Sequence, residues 1–520
     1  MKYFVPAWYD DEKWWRQLTQ PFYIKNRKIQ FDDAMSLMSM HAQNEVDFTL
    51  LHLSYQPHLK LFLHKYNLYE ARVWSLFDEI QGFEDVPSRS FQFEDLEWPD
   101  DAEFVFSPYL IQVISESGTS KVYFNQDGYL IWVDDFEQQI QQRRYIFDER
   151  GYLSAIRYYV DGEPHVQDYL TATGEVILRE NLITDQVEVH AYQSEFEAQV
   201  YDNMIMLIQE RFKRYCIRHL NEKDQLIVSA HPQHHKLFQE VSVDATVCYS
   251  IFSKRNTTLD EEFVQSMTDS SKWLVDTAEN ETRLKALVAH HSNPPEILRI
   301  TPFETQQSAN LSSQLYETYI GIWIDGMRDT DLQHVLQQLM TYIERHSSYR
   351  LVLLTEQQKG HVEGCIDQLI REWNVRHNES EIENEAKAEL IEAKAPTPFK
   401  GVIQVKSVPY EEDVLKALTR LRLVIDLSDT PNLYVQIASI SVRIPQIHMF
   451  QSEYVTDLKN GIIIAQYDAL PAALDYFLKT LKHWNTAYTF NTNMIETLSS
   501  ERIIARLDQF LEGDNDGTSV

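Results

Sequence analysis

Histidine can carry a proton near neutral pH and can ligate metals, so its clusters are the first places to look for chemistry. His231, His234 and His235 follow an apolar run, residues 226–230, that reads as a β-strand. Open α/β sheets hold ligands at the carboxyl ends of such strands. His231 and His235 are therefore candidate cleft contacts, with solvated or packed histidines as the other reading. His290 and His291 precede Asn293-Pro-Pro295 with no carboxylate or cysteine at ligand spacing, so no metal site is expected there. Glu304 is a candidate polar group at the head of the second half. Arg328 is the one cation in the stretch from Tyr319 to Arg328, which carries Gly321 and Gly326.

The motifs that are missing narrow the chemistry further. The chain has neither kind of Gly-rich nucleotide loop, no Gly-x-Ser-x-Gly elbow and no His-Glu-x-x-His helix. Its 14 glycines in 520 residues amount to about 3%, where roughly 7% is usual. A formal charge of −32 repels phosphate backbones and anionic lipid heads, so nucleic-acid binding is not expected and membrane contact is left to a partner or a local patch. Cys216, Cys248 and Cys365 are too few and too widely spaced for a disulfide framework or a thiolate zinc site. With no signal-peptide core and no long apolar run, a cytoplasmic protein without a cofactor is expected.

The elements that must position these residues alternate apolar runs with amphipathic stretches, the pattern of parallel sheets with crossover helices. Residues 1–100 and 194–303 read as one Rossmann-like domain, split by an insertion, and 304–495 as a second. A final helix, 496–511, is expected to pack back, and 512–520 to be a disordered acidic tail. A capping box at Ser194 and Glu197 predicts a helix from there to about Tyr215. Residues 378–394 read as a charged helix stopped by Ala395-Pro-Thr-Pro398.

The insertion, 101–193, holds a repeat. Tyr123-Phe-Asn-Gln-Asp-Gly128-Tyr-Leu, Ile146-Phe-Asp-Glu-Arg-Gly151-Tyr-Leu and Tyr169-Leu-Thr-Ala-Thr-Gly174-Glu-Val share a frame with glycines 23 residues apart. Each unit predicts a hairpin whose glycine takes a positive φ, and together they predict an antiparallel sheet. Tyr129, Tyr152 and Tyr169 are candidate partner-docking residues on an aromatic face, with a plain structural role as the alternative.

In the last third, Arg443-Ile-Pro445-Gln-Ile447, the Asn460-Gly461 turn leading into Ile462-Ile-Ile464, and the segment from Asp468 to Leu474 resemble the C-terminal half of GT-B glycosyltransferases. Asn460-Gly461 is expected to need positive φ. In retaining members a pair of Glu residues lies just upstream at the donor site. Aligned on Pro445, that pair falls at Thr430 and Ala438, neither of which can act as a carboxylate. Ile322 stands where those enzymes present an Arg to the donor diphosphate. The resemblance thus implies two Rossmann-like domains in a GT-B arrangement with the donor chemistry lost.

Over the whole chain except its tail, the sequence resembles the first-protein family of the accessory Sec secretion system. The opening from Met1 to Tyr9, the doubly wound halves around Tyr-rich repeats and the degraded donor motif carry that likeness. It implies a catalytically silent, GT-B-like scaffold that works with the second and third accessory Sec proteins and the accessory Sec ATPase motor. The cargo would be a glycosylated serine-rich repeat adhesin preprotein, carried to the membrane channel from the inner face of the cell membrane. The alternative is an active glycosyltransferase that modifies the adhesin from a nucleotide donor, with His231, His235 and Glu304 as polar catalysts.

Overall fold

A computed structural model describes residues 1–9, 13–16, 21, 23, 32–267, 270–357, 362, 364–388 and 402–513, with residues 377–388 described as helix backbone only. The segment 395–398 and the tail beyond 513 lie outside the described residues, as does the end of the predicted 378–394 helix. The chain divides into two compact units, Met1–Pro302 together with residues from Asp508 on, and Phe303–Leu507.

Unit 1 is built on a seven-stranded parallel sheet. Its central strands are Lys2–Val5 and Gln225–Ser229, side by side although the whole insertion separates them in sequence. In chain order the strands lie 3-2-1-4-5-6-7, a doubly wound arrangement whose winding reverses between those two strands. The first strand ends at Val5 because Pro6 has no N–H for the ladder.

The insertion forms a ten-stranded antiparallel meander from Glu103–Phe106 to Val200–Tyr201, with neighbours in chain order. The three repeats share one turn. Asn125 Oδ1 accepts from the backbone N–H groups of Asp127 and Tyr129 at 3.0 and 2.9 Å, and Asp148 Oδ1 accepts from those of Arg150 and Tyr152 at the same distances. Thr171 Oγ1 accepts from Glu175 N–H at 3.2 Å. Gly128, Gly151 and Gly174 have φ of +84°, +83° and +84°, and a register shift falls at the same frame position each time, after Tyr123, Ile146 and Tyr169. One face of the meander, with Trp132, Ile146, Ala155 and Leu178, shares the core of the parallel sheet. On the other face Val113, Val133 and Phe147 are covered by Phe91, Phe93, Leu96 and Trp98.

The helix expected from Ser194 starts later. Residues 193–195 form a single 3₁₀ turn, and the helix Met204–His219 is capped by Asn203, whose side chain accepts from Met206 N–H at 3.1 Å. The Glu195 carbonyl is instead taken by Arg211 and Arg214 at 3.1 and 2.7 Å, which holds the segment against the helix flank rather than in its first turn.

Unit 2 is a six-stranded parallel sheet in the order 3-2-1-4-5-6, with its winding reversal between Thr318–Trp323 and Leu421–Asp426. Among the described residues no helix is long and apolar enough to cross a membrane.

Candidate functional site

The winding reversal is where each sheet opens a crevice, so the residues just past its central strands decide what each unit can hold. In unit 1 those residues form a closed polar network. Arg255 donates from Nη1 to Asp33 Oδ1 at 2.6 Å and to Asp32 Oδ1 at 3.2 Å, and from Nη2 to Asp33 Oδ2 at 3.0 Å. Its remaining N–H groups meet the carbonyls of Ser250 and Ala230 at 2.8 and 3.1 Å. A guanidinium has five N–H donors, and here all are spent inside the protein. Ser250 Oγ donates to Asp33, and Trp8 Nε1 donates to Asp32 Oδ2 at 2.6 Å.

Burial, and after it the charge of Asp33, raises the pKa of Asp32. Burial also opposes the charge on Asp33, but the Arg255 charge and hydrogen bonds prevail and lower its pKa. Asp32 also caps the helix Asp33–Gln43 by accepting from Met35 N–H at 3.2 Å. None of this was visible in the sequence, where nothing near Asp32 and Asp33 points to Arg255.

The predicted histidines stand beside this network and are largely used by the fold. His231 caps the helix Pro232–Glu240 by accepting from Gln233 N–H at Nδ1, 3.3 Å. Burial, then the nearby Arg255 charge, pushes its pKa down to about 4. His234 is held at both ring nitrogens: its Nδ1 donates to the Ser229 carbonyl at 2.7 Å, which leaves Nε2 to accept from the Tyr9 hydroxyl at 2.6 Å.

His235 is a core residue, not a cleft contact. It lies edge-on to Tyr249 and Phe263, with Nδ1 2.6 Å from Ser266 Oγ. The reason is helical phase: His231 precedes the helix, whereas His235 is one turn along and points into the sheet.

In unit 2 the crevice is lined by carboxylates that already have partners. Asp325, just past the first strand, accepts from Thr355 Oγ1 and Glu356 N–H, both at 2.6 Å. Asp426 is fully buried at the end of the neighbouring strand. It accepts from Ser428 Oγ at 2.6 Å and from Asn432 N–H at 2.7 Å. Burial raises its pKa to about 6 against those hydrogen bonds. Asn432 completes the set: its Nδ2 donates to Glu356 Oε1 at 3.1 Å and its Oδ1 caps the helix Leu433–Ser441. The N-terminus of that helix, a natural anion site, is thus served by the chain's own side chains.

Thr430 lies two residues before this cap, and Ala438 lies inside the helix it starts. Thr430 is exposed, with its carbonyl accepting from Ser428 Oγ at 3.0 Å, and Ala438 is buried in the helix. Arg328 is 80% exposed and pairs with Asp331 at 2.8 Å. Glu304 Oε1 accepts from Gln306 Nε2 at 2.5 Å.

The expectation of positive φ at Asn460-Gly461 is corrected. The left-handed residue of that turn is Leu458, at φ 60°. Gly461 is required for closeness, since a Cβ there would lie 2.7 Å from the Gln446 carbonyl oxygen. Asn460 is buried and bonds Thr456 N–H, the Tyr454 carbonyl and Asn491 Oδ1.

The three tyrosines separate. Tyr129 is 47% exposed. Tyr152 is half-buried under Arg89, whose guanidinium lies 4.1 Å above its ring. Tyr169 is fully buried between Tyr55 and Phe77 and donates to Glu180 Oε2 at 2.8 Å, so it belongs to no docking surface. The repeat explains it. Tyr129 and Tyr152 follow the turn glycine, whereas Tyr169 is equivalent to Tyr123 and Ile146 on the core face. Among the described residues no group of three or more His, Cys, Asp or Glu side chains is placed to hold a metal ion.

Two doubly wound units, one carrying a long antiparallel insertion, have counterparts among known proteins. The pneumococcal O-GlcNAc transferase GtfA, solved with UDP and GlcNAc, superposes over 98% of this chain and 98% of its own with a TM-score of 0.66 at 12% identity, a likeness of fold. The Gap123 complex of Streptococcus agalactiae contains a chain matched over 98% of this one and 100% of its own, with a TM-score of 0.78 and 27% identity. The solved accessory secretory proteins 1, 2 and 3 of Streptococcus pneumoniae include one matched over 98% and 99%, with a TM-score of 0.79 and 26% identity.

A curated Staphylococcus aureus protein, the first of the accessory Sec system's Asp proteins, is 43% identical over 524 residues and all of both chains. Its Streptococcus gordonii counterpart is 29% identical over 98% of this chain and 99% of its own. The sequence profile of that same family matches residues 1–514. With its GT-B-like fold and a match along nearly its whole length, this chain belongs to the family of accessory Sec system protein 1.

Proposed function

We propose that this chain is a non-catalytic, GT-B-like subunit of the accessory Sec system. In this reading it assembles with the second and third accessory Sec proteins and works with the accessory Sec ATPase motor. Its cargo is a glycosylated serine-rich repeat adhesin, carried to the membrane channel. It acts in the cytoplasm and reaches the inner face of the membrane in company, as a chain with a charge of −32 would have to. Partner proteins are supported by the relatives, since the pneumococcal protein was solved together with accessory secretory proteins 2 and 3.

The observation that carries the loss of catalysis is the crevice of unit 2. A nucleotide-sugar donor brings a diphosphate, and its departure needs cations or free N–H groups. Asp325, Glu356 and Asp426 put carboxylates around that crevice, and Asp426 holds the N–H of Asn432 that an anion would use. Arg328 is committed to Asp331. The test is turnover: the purified chain, alone and with its accessory Sec partners, is incubated with UDP-N-acetylglucosamine and an adhesin segment. No UDP release above buffer is expected. Release abolished by Asp426→Asn refutes the reading, and so does failure to co-purify with the second and third accessory Sec proteins.

A further inference from the structure

The two edges of the ten-stranded sheet are not alike. At one end the strand Val200–Tyr201 is two residues long, the usual way of blunting an edge. At the other, Glu103–Phe106 pairs on one side with Ile111–Ser115 and, among the described residues, with no strand on its other side. The Ser107 N–H meets the Leu110 carbonyl across the hairpin turn at 3.1 Å. Bonding toward the partner strand therefore alternates back through Val105 and Glu103, and the N–H and C=O groups of Phe104 and Phe106 point to the free side. The edge is also apolar: Val105 is 48% exposed, Phe106 68% and Tyr109, in the turn, 58%.

Charge decides what can pair there. From Ser90 to Ser120 the chain carries seven carboxylates and no Lys, Arg or His. Glu94 and Asp95 lie in the 3₁₀ turn next to Phe93, whose ring packs against Phe104 and Phe106, and Glu103 is in the strand itself. Two copies of this edge repel each other, so self-pairing is disfavoured. We infer that the free edge of Glu103–Phe106 takes up an extra β-strand from a partner protein, an extended segment in which apolar residues alternate with lysine or arginine. The added strand gains main-chain hydrogen bonds from Phe104 and Phe106, apolar contact with Val105 and Phe106, and charge pairing with the flanking carboxylates. The inference rests on the reading that the chain works in an assembly, and its test uses none of the accessory Sec proteins, so the two can fail separately.

The probe is a capped heptapeptide alternating lysine with phenylalanine and valine, titrated onto the full chain with amide hydrogen exchange as readout. Exchange of the Phe104 and Phe106 amides should slow by about tenfold or more on binding, with the Val200–Tyr201 edge unchanged. The same peptide with glutamate for lysine should bind about tenfold or more weakly. Phe106→Pro, which removes one outward N–H from an edge position that tolerates proline, should remove the protection of the Phe104 amide with only the small drop in melting temperature that losing the Phe93 ring contact brings. Protection already complete in the free chain, protection at the other edge, equal binding of the acidic peptide, or no protection at all overturns the inference.

Discussion

Tyr169 offers the sharpest test of how the inserted sheet is attached. Its ring meets Tyr55 at 5.1 Å and Phe77 at 5.5 Å between centroids, and its hydroxyl donates to Glu180. Glu180, fully buried, also accepts from Trp15 Nε1 at 2.8 Å and from Arg16 Nη2 at 2.7 Å. Tyr169→Phe keeps the ring and removes one donor to a buried carboxylate that retains two others, a cost of about 1–2 kcal/mol. Tyr169→Ala removes the ring as well and leaves a cavity, which raises the cost to about 3–5 kcal/mol. Tyr129→Ala, at an exposed turn, should stay within about 0.5 kcal/mol of the parent. Urea titration followed by tryptophan fluorescence reads all three, because Trp14, Trp15 and Trp132 lie in the same core. A Tyr169→Ala midpoint no lower than that of Tyr129→Ala refutes the placement of Tyr169 in the core.

The three repeat glycines should not respond alike to alanine. Each pays about 1 kcal/mol for positive φ, but only at Gly151 would the new Cβ meet backbone, 2.7 Å from the Arg89 carbonyl oxygen. Gly151→Ala should therefore unfold at distinctly lower urea than Gly128→Ala or Gly174→Ala. His231→Asn keeps a helix cap but removes a titrating group whose pKa falls from about 6.5 unfolded to about 4 folded. Below pH 6.5 only the unfolded parent binds that proton, so the parent should lose up to about 1.4 kcal/mol per pH unit relative to the variant down to pH 4. Above pH 6.5 the difference should be flat, as urea titrations across pH can check. Ala438→Glu, which restores a carboxylate where the retaining enzymes have one, places it inside a buried helix face. It should cost about 2 kcal/mol or more in the same titration and yield no UDP release.

What was legible in the sequence is what depends on neighbours in the chain. The hairpin frame could be read because Asn125, Asp148 and Thr171 bond N–H groups within four residues, so the turn is written locally. The alternation of strands and helices could be read for the same reason and marked out the two Rossmann-like halves, whereas the GT-B arrangement came from the resemblance around Pro445 and Asn460. Which side of the meander is buried could not, because alternation labels two faces without saying which one meets the parallel sheet. The start of the helix after the insertion was misplaced since Ser194 and Asn203 are both good caps, and the choice is made by Arg211 and Arg214 reaching back. The crevice of unit 1 was illegible: Asp33 and Arg255 are 222 residues apart, and nothing near either announces the other. The histidines were found by type, but their roles were set by helical phase and by Tyr9 and Ser266, which lie far off in sequence.

The position of the insertion sets the order in which a newly made chain can be completed. Lys2–Val5 is the central strand of unit 1, yet the neighbour on one of its sides begins only at Gln225. At ribosomal speeds of about 5–20 residues per second, that edge stays open for roughly 10–45 s of synthesis. The inserted hairpins contact mainly their own neighbours and can form during that wait. Lys2 pairs with Asp508, in the helix that follows Thr497, so a strand made early is closed over by residues made about 500 positions later. Loss of the segment that carries Asp508 therefore strikes at a strand laid down long before it.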